Sequence, residues 1–273
     1  IHLDIDPAEE NKVLQPDVFL CGDAKLVLEQ LIPLVSKLDS AEWVKTCMNW
    51  KKRYPLTYPK QGGLRMQHIV HTLWKTTQGK AIVTSDVGQH QMWVAQFFKT
   101  DYPRQLHNSG GAGTMGFGFP AAIGAAFGNT TNWPVCCFAG DGGFQMTMAE
   151  MATACIHKLP IKIFVMDNKY LGMVRQWQDL FYDKRYSAVD MVGNPDFVKF
   201  AEAYGALGLR IKRAADAERI IQKALDHNDG PVLIHCECEK EDNVFPMIPA
   251  GAPISSMITE PPKTQLEKPT GST

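Results

Sequence analysis

The chain has 273 residues, 45% of them hydrophobic, with 28 Lys and Arg against 29 Asp and Glu for a net charge of -1. That balance argues against a nucleic-acid surface, which needs a strong basic excess, and no apolar run approaches the roughly 18 residues of a membrane span. The opening residues do not read as a signal peptide, so the expectation is a soluble cytoplasmic protein, or an organellar one in a eukaryote, with an ample core for one large or two small domains.

Residues 1–5 read as a parallel strand already under way, followed by Asp6-Pro7 and a polar connection to Gly22-Asp23. Such a start suggests the last strand of an earlier α/β domain, hence a piece of a longer protein. Residues 24–38 have helical periodicity with a bend at Pro33, and 41–53 form a second helix. The Pro- and Gly-rich 54–63 reads as a linker.

From Leu64 on, helices and short β-rich runs alternate. Helices are predicted over 64–77, 89–97, 117–128, 172–182, 195–204 and 216–227, with a further helical segment after Gly142. Strands are predicted over 81–85, 105–108, 135–139, 161–166, 207–211 and 232–237. Six strands with interleaved helices give an α/β fold, a doubly wound and mainly parallel sheet with helices on both faces. The expected organisation is 1–38 as the end of a central α/β domain and its connection, 39–63 as helix and linker, 64–255 as the sheet domain, and 256–273 as a mobile tail with Pro261, Pro262 and Pro269.

The seven cysteines show no metal-site spacing. Cys136 and Cys137 lie in one apolar strand and Cys236 and Cys238 alternate along another, as buried free thiols do. None of the eight histidines forms an HExxH or comparable cluster, so a zinc site is not expected.

In such sheets ligands bind outside the carboxyl ends of the strands, where the turns 86–91, 109–116, 140–143 and 167–172 fall. Gly140, Asp141 and Gly142 end one predicted strand, and Asp167 and Asn168 end the next. Parallel neighbours lie about 4.8 Å apart, and two oxygens on one Mg²⁺, at about 2.1 Å per bond, sit roughly that close. Asp141 and Asn168 can therefore share one hard cation. The glycines let a phosphate approach without a Cβ in the way, and the following helix aims its N-terminal amides at the same spot. The plain alternative is an ordinary turn of a doubly wound sheet, because Gly-Asp-Gly is common turn chemistry.

A rival motif lies close by. Gly111, Gly113 and Gly116 satisfy GxGxxG ahead of a helix, as in a nicotinamide-dinucleotide site. Against it, a ribose-binding acid has no need of glycine on both sides, and that site gives no reason for Asn168 at the following strand end.

Gly140-Asp141-Gly142, followed after the usual interval by Asp167-Asn168, resembles the thiamine diphosphate (ThDP) motif. The wider stretches TSDVGQHQMWVAQ, GGAGTMGFGFPAAIGAA, MAEMATACIHKLPIKIFVMDNKYLGMVRQWQDLFY and NVFPMIPAGAP are similar to the catalytic subunit of acetohydroxyacid synthase (acetolactate synthase), over nearly the whole chain to about Ile258. Two positions depart from that pattern: Asp167, where many ThDP enzymes have Asn, and Gly143, often Ser in the family.

The resemblance implies that Asp141 and Asn168 are side-chain Mg²⁺ ligands and that Tyr170 offers its backbone carbonyl. Around ThDP it places Val87, Gly88, Gln89 and His90, then Gly113 and Met115, then Gly140, Gly142 and Gly143, and finally Gly172 and Met173. Met115 would hold the cofactor bent, and Trp177 at the substrate entrance would favour 2-ketobutyrate over pyruvate, which with Gln89 makes up the expected catalytic set. Met173 and Trp177, four apart, share a helix face. For Met115 and Trp177 the alternative role is core packing, and for Gln89 and His90 a capping or structural one.

The resemblance also implies a structural FAD lined by Asp4, Ile5 and Asp23 with Gln91, Met92, Gly110 and Gly111. Asp4 and Asp23 are alternatively a strand-end cap and an N-cap. The implied reaction condenses pyruvate with a second 2-ketoacid, pyruvate or 2-ketobutyrate, with loss of CO₂, in branched-chain amino-acid biosynthesis. A homodimer or homotetramer of the full-length catalytic subunit is expected, with a small regulatory subunit as a further partner. In that family a glutamate on a separate pyrimidine-binding domain activates the cofactor and a middle-domain arginine holds the second substrate. In the family the glutamate comes from a second subunit; neither group is identified within these 273 residues, so the isolated chain is expected to be inactive. The alternatives are a glyoxylate carboligase or benzoylformate-type decarboxylase, a nicotinamide dehydrogenase, and a non-catalytic module that binds a partner through its cofactor face.

Overall fold

The computed structural model describes residues 1–260; the stretch 261–273, which carries most of the expected tail, lies outside the described residues. The chain divides into two compact units, Ile1–Pro55 and Leu56–Thr273.

In the first unit β1 (His2–Asp4) pairs in parallel with β2 (Phe19–Cys21), Leu3 opposite Leu20. The second of these strands was not expected, because three residues are too few to show a two-residue period. Helix α1 (Ala24–Leu31) begins at Asp23, whose Oδ1 accepts from the amides of Lys25 and Leu26 at 2.9 and 3.1 Å. It stops well short of Leu38. Pro33 ends the helix in a 3-10 turn, Ile32–Leu34, instead of bending it, since its ring blocks the continuing turn and it has no N–H to donate. Helix α2 (Ala41–Arg53) follows.

The second unit runs α3 (Met66–Thr76), β3 (Ile82–Ser85), α4 (Gln89–Phe97), β4 (Leu106–Asn108), α5 (Gly118–Gly128), β5 (Val135–Gly140), α6 (Asp141–Thr147), α7 (Met151–Ile156), β6 (Lys162–Asp167), α8 (Gly172–Phe181), α9 (Phe197–Ala203), β7 (Leu207–Ile211), α10 (Ala217–Asp226) and β8 (Val232–Glu237). The helical segment after Gly140 is two helices joined by a 3-10 turn at Met148–Glu150. All six strands are parallel, in the order β4-β3-β5-β6-β8-β7. From β3 the chain moves one way to β4 and then returns past β3 to β5. The crevice of such a sheet opens at that reversal, between the carboxyl ends of β3 and β5.

The strands read as nearly continuous apolar runs because both faces are covered. Cys136, Phe138, Phe164 and Met166 point to one face, packed under Ile69, Val70 and Leu73 of α3, Trp93 of α4 and Ile221 of α10. Cys137, Ala139, Ile163 and Val165 point to the other, under Phe119 of α5, Phe144 of α6, Met151 of α7 and Phe197 of α9. All seven cysteines are free, and burial pushes the Cys136 thiol up to about 12. Of the expected tail, Ile258 is tied to Met247 by two backbone hydrogen bonds of 2.9 and 2.8 Å. None of the described helices is long and apolar enough to cross a membrane.

Phe144 anchors α6, the helix that follows Gly140. Its ring is fully buried and lies 5.6–5.9 Å from those of Phe119, Phe197 and Phe200. Phe144→Ala leaves a cavity among three aromatic rings and is expected to cost about 3–5 kcal/mol, read from the midpoint of denaturant unfolding.

Candidate functional site

The register of β5 and β6 sets the site. Gly140 stands opposite Met166, so Asp141 faces the level of Asp167, and Asn168 lies one residue beyond. Asp141 and Asn168 are both buried, 1% and 4% exposed, and line one cavity of about 150 Å³. Around it are all the residues expected at the cofactor: Val87, Gly88, Gln89, His90, Gly113, Met115, Gly140, Gly142, Gly143, Tyr170, Gly172 and Met173. Met66, Met166, Leu171 and Val174 complete the wall and were not foreseen; as apolar residues in or beside regular elements they look like any other core residue in sequence.

Three helices begin at this cavity, α4 after Gly88, α6 after Gly140 and α8 after Leu171, and none has a side chain capping its first amides. The first N–H groups of a helix lack intrahelical partners and carry its partial positive charge, so three such ends around one cavity suit an anion. Gly88 enters α4 with φ +155°, a conformation that side chains resist. A fourth start shows the same logic filled from within. The buried carboxylate of Asp86 accepts from the amides of Gly116 and Gly118 at 3.0 and 2.8 Å, at the mouth of α5, and from Val87 at 2.7 Å. The glycine loop that resembles a dinucleotide fingerprint is therefore held by an internal acid, and its Gly113 and Met115 form a wall of the cavity. Asp86 also accounts for Gly143: a Cβ there would lie 2.5 Å from Asp86 Oδ1.

His90 is 4% exposed and its Nε2 is buried without a hydrogen-bond partner. Burial pushes its imidazole down to about 4 against the opposing pull of Asp86, which keeps it neutral. An orphaned ring nitrogen at the cavity wall is the kind of group a bound ligand satisfies. Gln89, by contrast, is committed. Its Nε2 donates to Gln176 Oε1 at 2.7 Å and to the Asp242 carbonyl at 2.8 Å, while its Oε1 lies 3.4 Å from Asn168 Nδ2. Gln176 in turn accepts from the Val244 amide at 2.7 Å and donates to the Val244 carbonyl at 3.1 Å. The 242–247 segment is thereby strapped across α4 and α8, and the Gln89 side chain serves as a link to Asn168.

The charges are uneven. Burial pushes the Asp141 carboxyl up to about 7, with the neighbouring Asp167 adding to the shift and a hydrogen bond from Asn194 opposing it. Burial would raise Asp167 as well, but His235 Nε2 and Lys169 Nζ, each 2.7 Å away, outweigh it and hold the carboxyl below the usual range. Asp167, His235, Asn194 and Asp86 escaped the sequence reading as site residues. Their partners are brought near by strand order and by a loop, over separations such as the 53 residues between Asp141 and Asn194. The exception is Asp86, an acid at a strand end just before a glycine.

Trp177 stands apart. It lies 38% exposed on α8, edge-on to Phe181, and lines a second cavity of about 660 Å³ with Gln178, Tyr182 and Arg185; Met173 and Val174 border both cavities. The remaining expected residues are split between the two units. Asp4 and Ile5 close β1 and Asp23 caps α1 in the first, where Asp4 Oδ1 also accepts the Asp6 amide at 2.9 Å. In the second, Gln91 and Met92 are half-buried on α4 while Gly110 and Gly111 are exposed.

Residues 86–236 match the family described as thiamine pyrophosphate enzyme, C-terminal TPP binding domain. The chain is 42% identical over 265 residues to the acetolactate synthase large subunit of Mycobacterium tuberculosis, which covers 92% of this chain and 42% of that protein. It is 39% identical over 267 residues to the large subunit of acetolactate synthase isozyme 3 of Escherichia coli, 94% of this chain and 46% of that protein. With the Lactococcus lactis large subunit the identity is 43% over 262 residues, 94% and 44%. The chain thus spans less than half the length of these curated relatives.

The raised Asp141 carboxyl has a sign. A group whose folded pKa lies above its unfolded value near 3.8 adds stability at low pH that is lost as pH rises through about 7. Without a divalent cation, Asp141→Asn is therefore expected to melt higher than the unaltered chain at pH 8 and to match it near pH 4. Added Mg²⁺ is expected to raise the melting temperature of the unaltered chain more at pH 8 than at pH 5.5 and to leave the variant unmoved; calorimetry at the three pH values reads all of this.

Proposed function

Because the chain belongs to the thiamine pyrophosphate enzymes, through their C-terminal TPP-binding domain, we propose that its cavity holds the diphosphate of ThDP on a Mg²⁺ ion bound by Asp141, Asn168 and the Tyr170 carbonyl. The observation that carries this reading is the convergence of three uncapped helix starts on a buried carboxylate and carboxamide, with His90 Nε2 unpartnered beside them. We propose further that the full-length protein forms acetolactate from pyruvate, or acetohydroxybutyrate with 2-ketobutyrate as second acceptor, with loss of CO₂, in branched-chain amino-acid biosynthesis. The names of the similar proteins support that choice over other ThDP carboligases, and their designation as large subunits supports a smaller partner subunit.

When bound, ThDP supplies the electron sink that lets a 2-ketoacid lose CO₂ and its remaining carbons join a second ketoacid. The protein's part is positional and electrostatic. Asp141 and Asn168 would hold the ion, the first amides of α4, α6 and α8 would take the phosphate oxygens beside His90, and Gln89 fixes Asn168. Met115, Met166, Leu171 and Met173 make the wall apolar, which excludes water from the reacting centre. Trp177, past the Met173 and Val174 border, would sort a second substrate by size. A structural FAD remains part of the proposal on the strength of the sequence resemblance. The carboxylates of Asp4 and Asp23 each take local backbone amides, so their contribution would come from the oxygens left over.

ThDP binding to the 273-residue chain, followed by tryptophan fluorescence, is expected with Mg²⁺ and to vanish with EDTA or in Asp141→Ala; a nicotinamide site would instead take NADH regardless of EDTA. Acetolactate formation is expected from the full-length protein but not from the 273 residues alone. In the full-length protein, Trp177→Leu is expected to cut the preference for 2-ketobutyrate over pyruvate by about tenfold, the scale at which a pocket sorts one methylene, read from product ratios in mixed-substrate assays.

A further inference from the structure

We propose that Asn194 is a positioning residue that aims Asp141 at the cation, an inference that rests on the reading of Asp141 as a metal ligand. Asn194 lies in the loop between α8 and α9. Its Nδ2 donates to Asp141 Oδ2 at 2.6 Å and to Asp167 Oδ1 at 3.1 Å. Its Oδ1 accepts from Gln145 Nε2 at 2.9 Å, and that same Nε2 reaches the Asp141 carbonyl at 3.1 Å. The orientation of the amide is settled by these partners: the oxygen faces a donor and the nitrogen faces two acceptors.

Among the described residues Asn194 supplies the one side-chain nitrogen that donates to Asp141. It engages Oδ2 and so restrains the rotation of the carboxylate. The choice of amide has a chemical reason. A lysine or arginine at this spot would give a stronger hydrogen bond but would set a positive charge beside the place the cation must occupy. A carboxamide holds the carboxylate and bridges it to Asp167 without adding charge. Supporting partners of this kind orient a ligand, and their removal typically weakens metal binding 10–100-fold.

The test is made on the full-length protein in excess ThDP, with the Mg²⁺ and Ca²⁺ concentrations that half-saturate cofactor binding measured by titration. Mg²⁺ demands near-ideal octahedral geometry, while Ca²⁺ tolerates a loose one. Asn194→Ala is therefore expected to weaken Mg²⁺ binding by about 10–100-fold and Ca²⁺ binding much less. Gln145→Ala, which frees the amide but keeps it, is expected to move the same selectivity in the same direction by a smaller factor, and it answers the question if Asn194→Ala does not fold. Equal losses for both ions, or a Mg²⁺ affinity within about twofold of the unaltered protein, overturn the positioning role. Mg²⁺ binding undiminished in Asp141→Asn would overturn the ligand reading itself.

Discussion

Two carboxylates at the ends of adjacent strands set the terms for the rest of this structure. The β5–β6 register brings Asp141 level with Asp167 in a place from which water is almost excluded, and like charges so placed cannot both stay ionised without help. The chain resolves the conflict unequally. Asp167 receives an ammonium from Lys169 and an imidazole from His235, both at 2.7 Å. Asp141 receives a neutral amide and stays electrostatically short. The internal counter-charge goes to one acid, and among the described residues the other has only an uncharged partner.

The same division appears among the helix starts. At α5 the chain fills the amide end with its own anion, Asp86; at α4, α6 and α8 it leaves the ends open toward one cavity. Asp86 thus does for the glycine loop what a diphosphate would do for the other three. Its position also fixes details nearby, since the closeness of its Oδ1 to Gly143 makes glycine the residue that fits there. The departure from serine noted in the sequence is explained by an acid 57 residues earlier.

Much of this was legible from residue order. Strand ends marked by Asp86-Val87-Gly88, Gly140-Asp141-Gly142 and Asp167-Asn168 are local chemistry, and apolar runs bounded by such turns gave the six strands to within a residue or two at each end. What stayed hidden was of two kinds. Elements governed by a single residue went astray: Pro33 stops a helix whose periodicity runs on to Leu38, and β2 is three residues long. Contacts made by topology were also invisible, because nothing in a sequence announces that Asn194 meets Asp141 or that His235 meets Asp167. The role of Gln89 changed for the same reason. Its neighbourhood reads as a phosphate loop, while its side chain is claimed by Gln176 and the strap at 242–247.

Part of that strap is made of uncharged groups. Asn168, Gln89, Gln176 and the Val244 backbone form a run of amide contacts and hydrogen bonds, and amides neither titrate in the physiological range nor attract counterions. Those amide links are indifferent to ionic strength, whereas the Arg65–Asp242 ion pair that also holds the strap, and the attraction between open helix ends and a charged guest, weaken as salt screens them. Concentrated salt would thus weaken the hold on a charged guest more than the amide links behind it, which separates the durability of the architecture from the occupancy it supports.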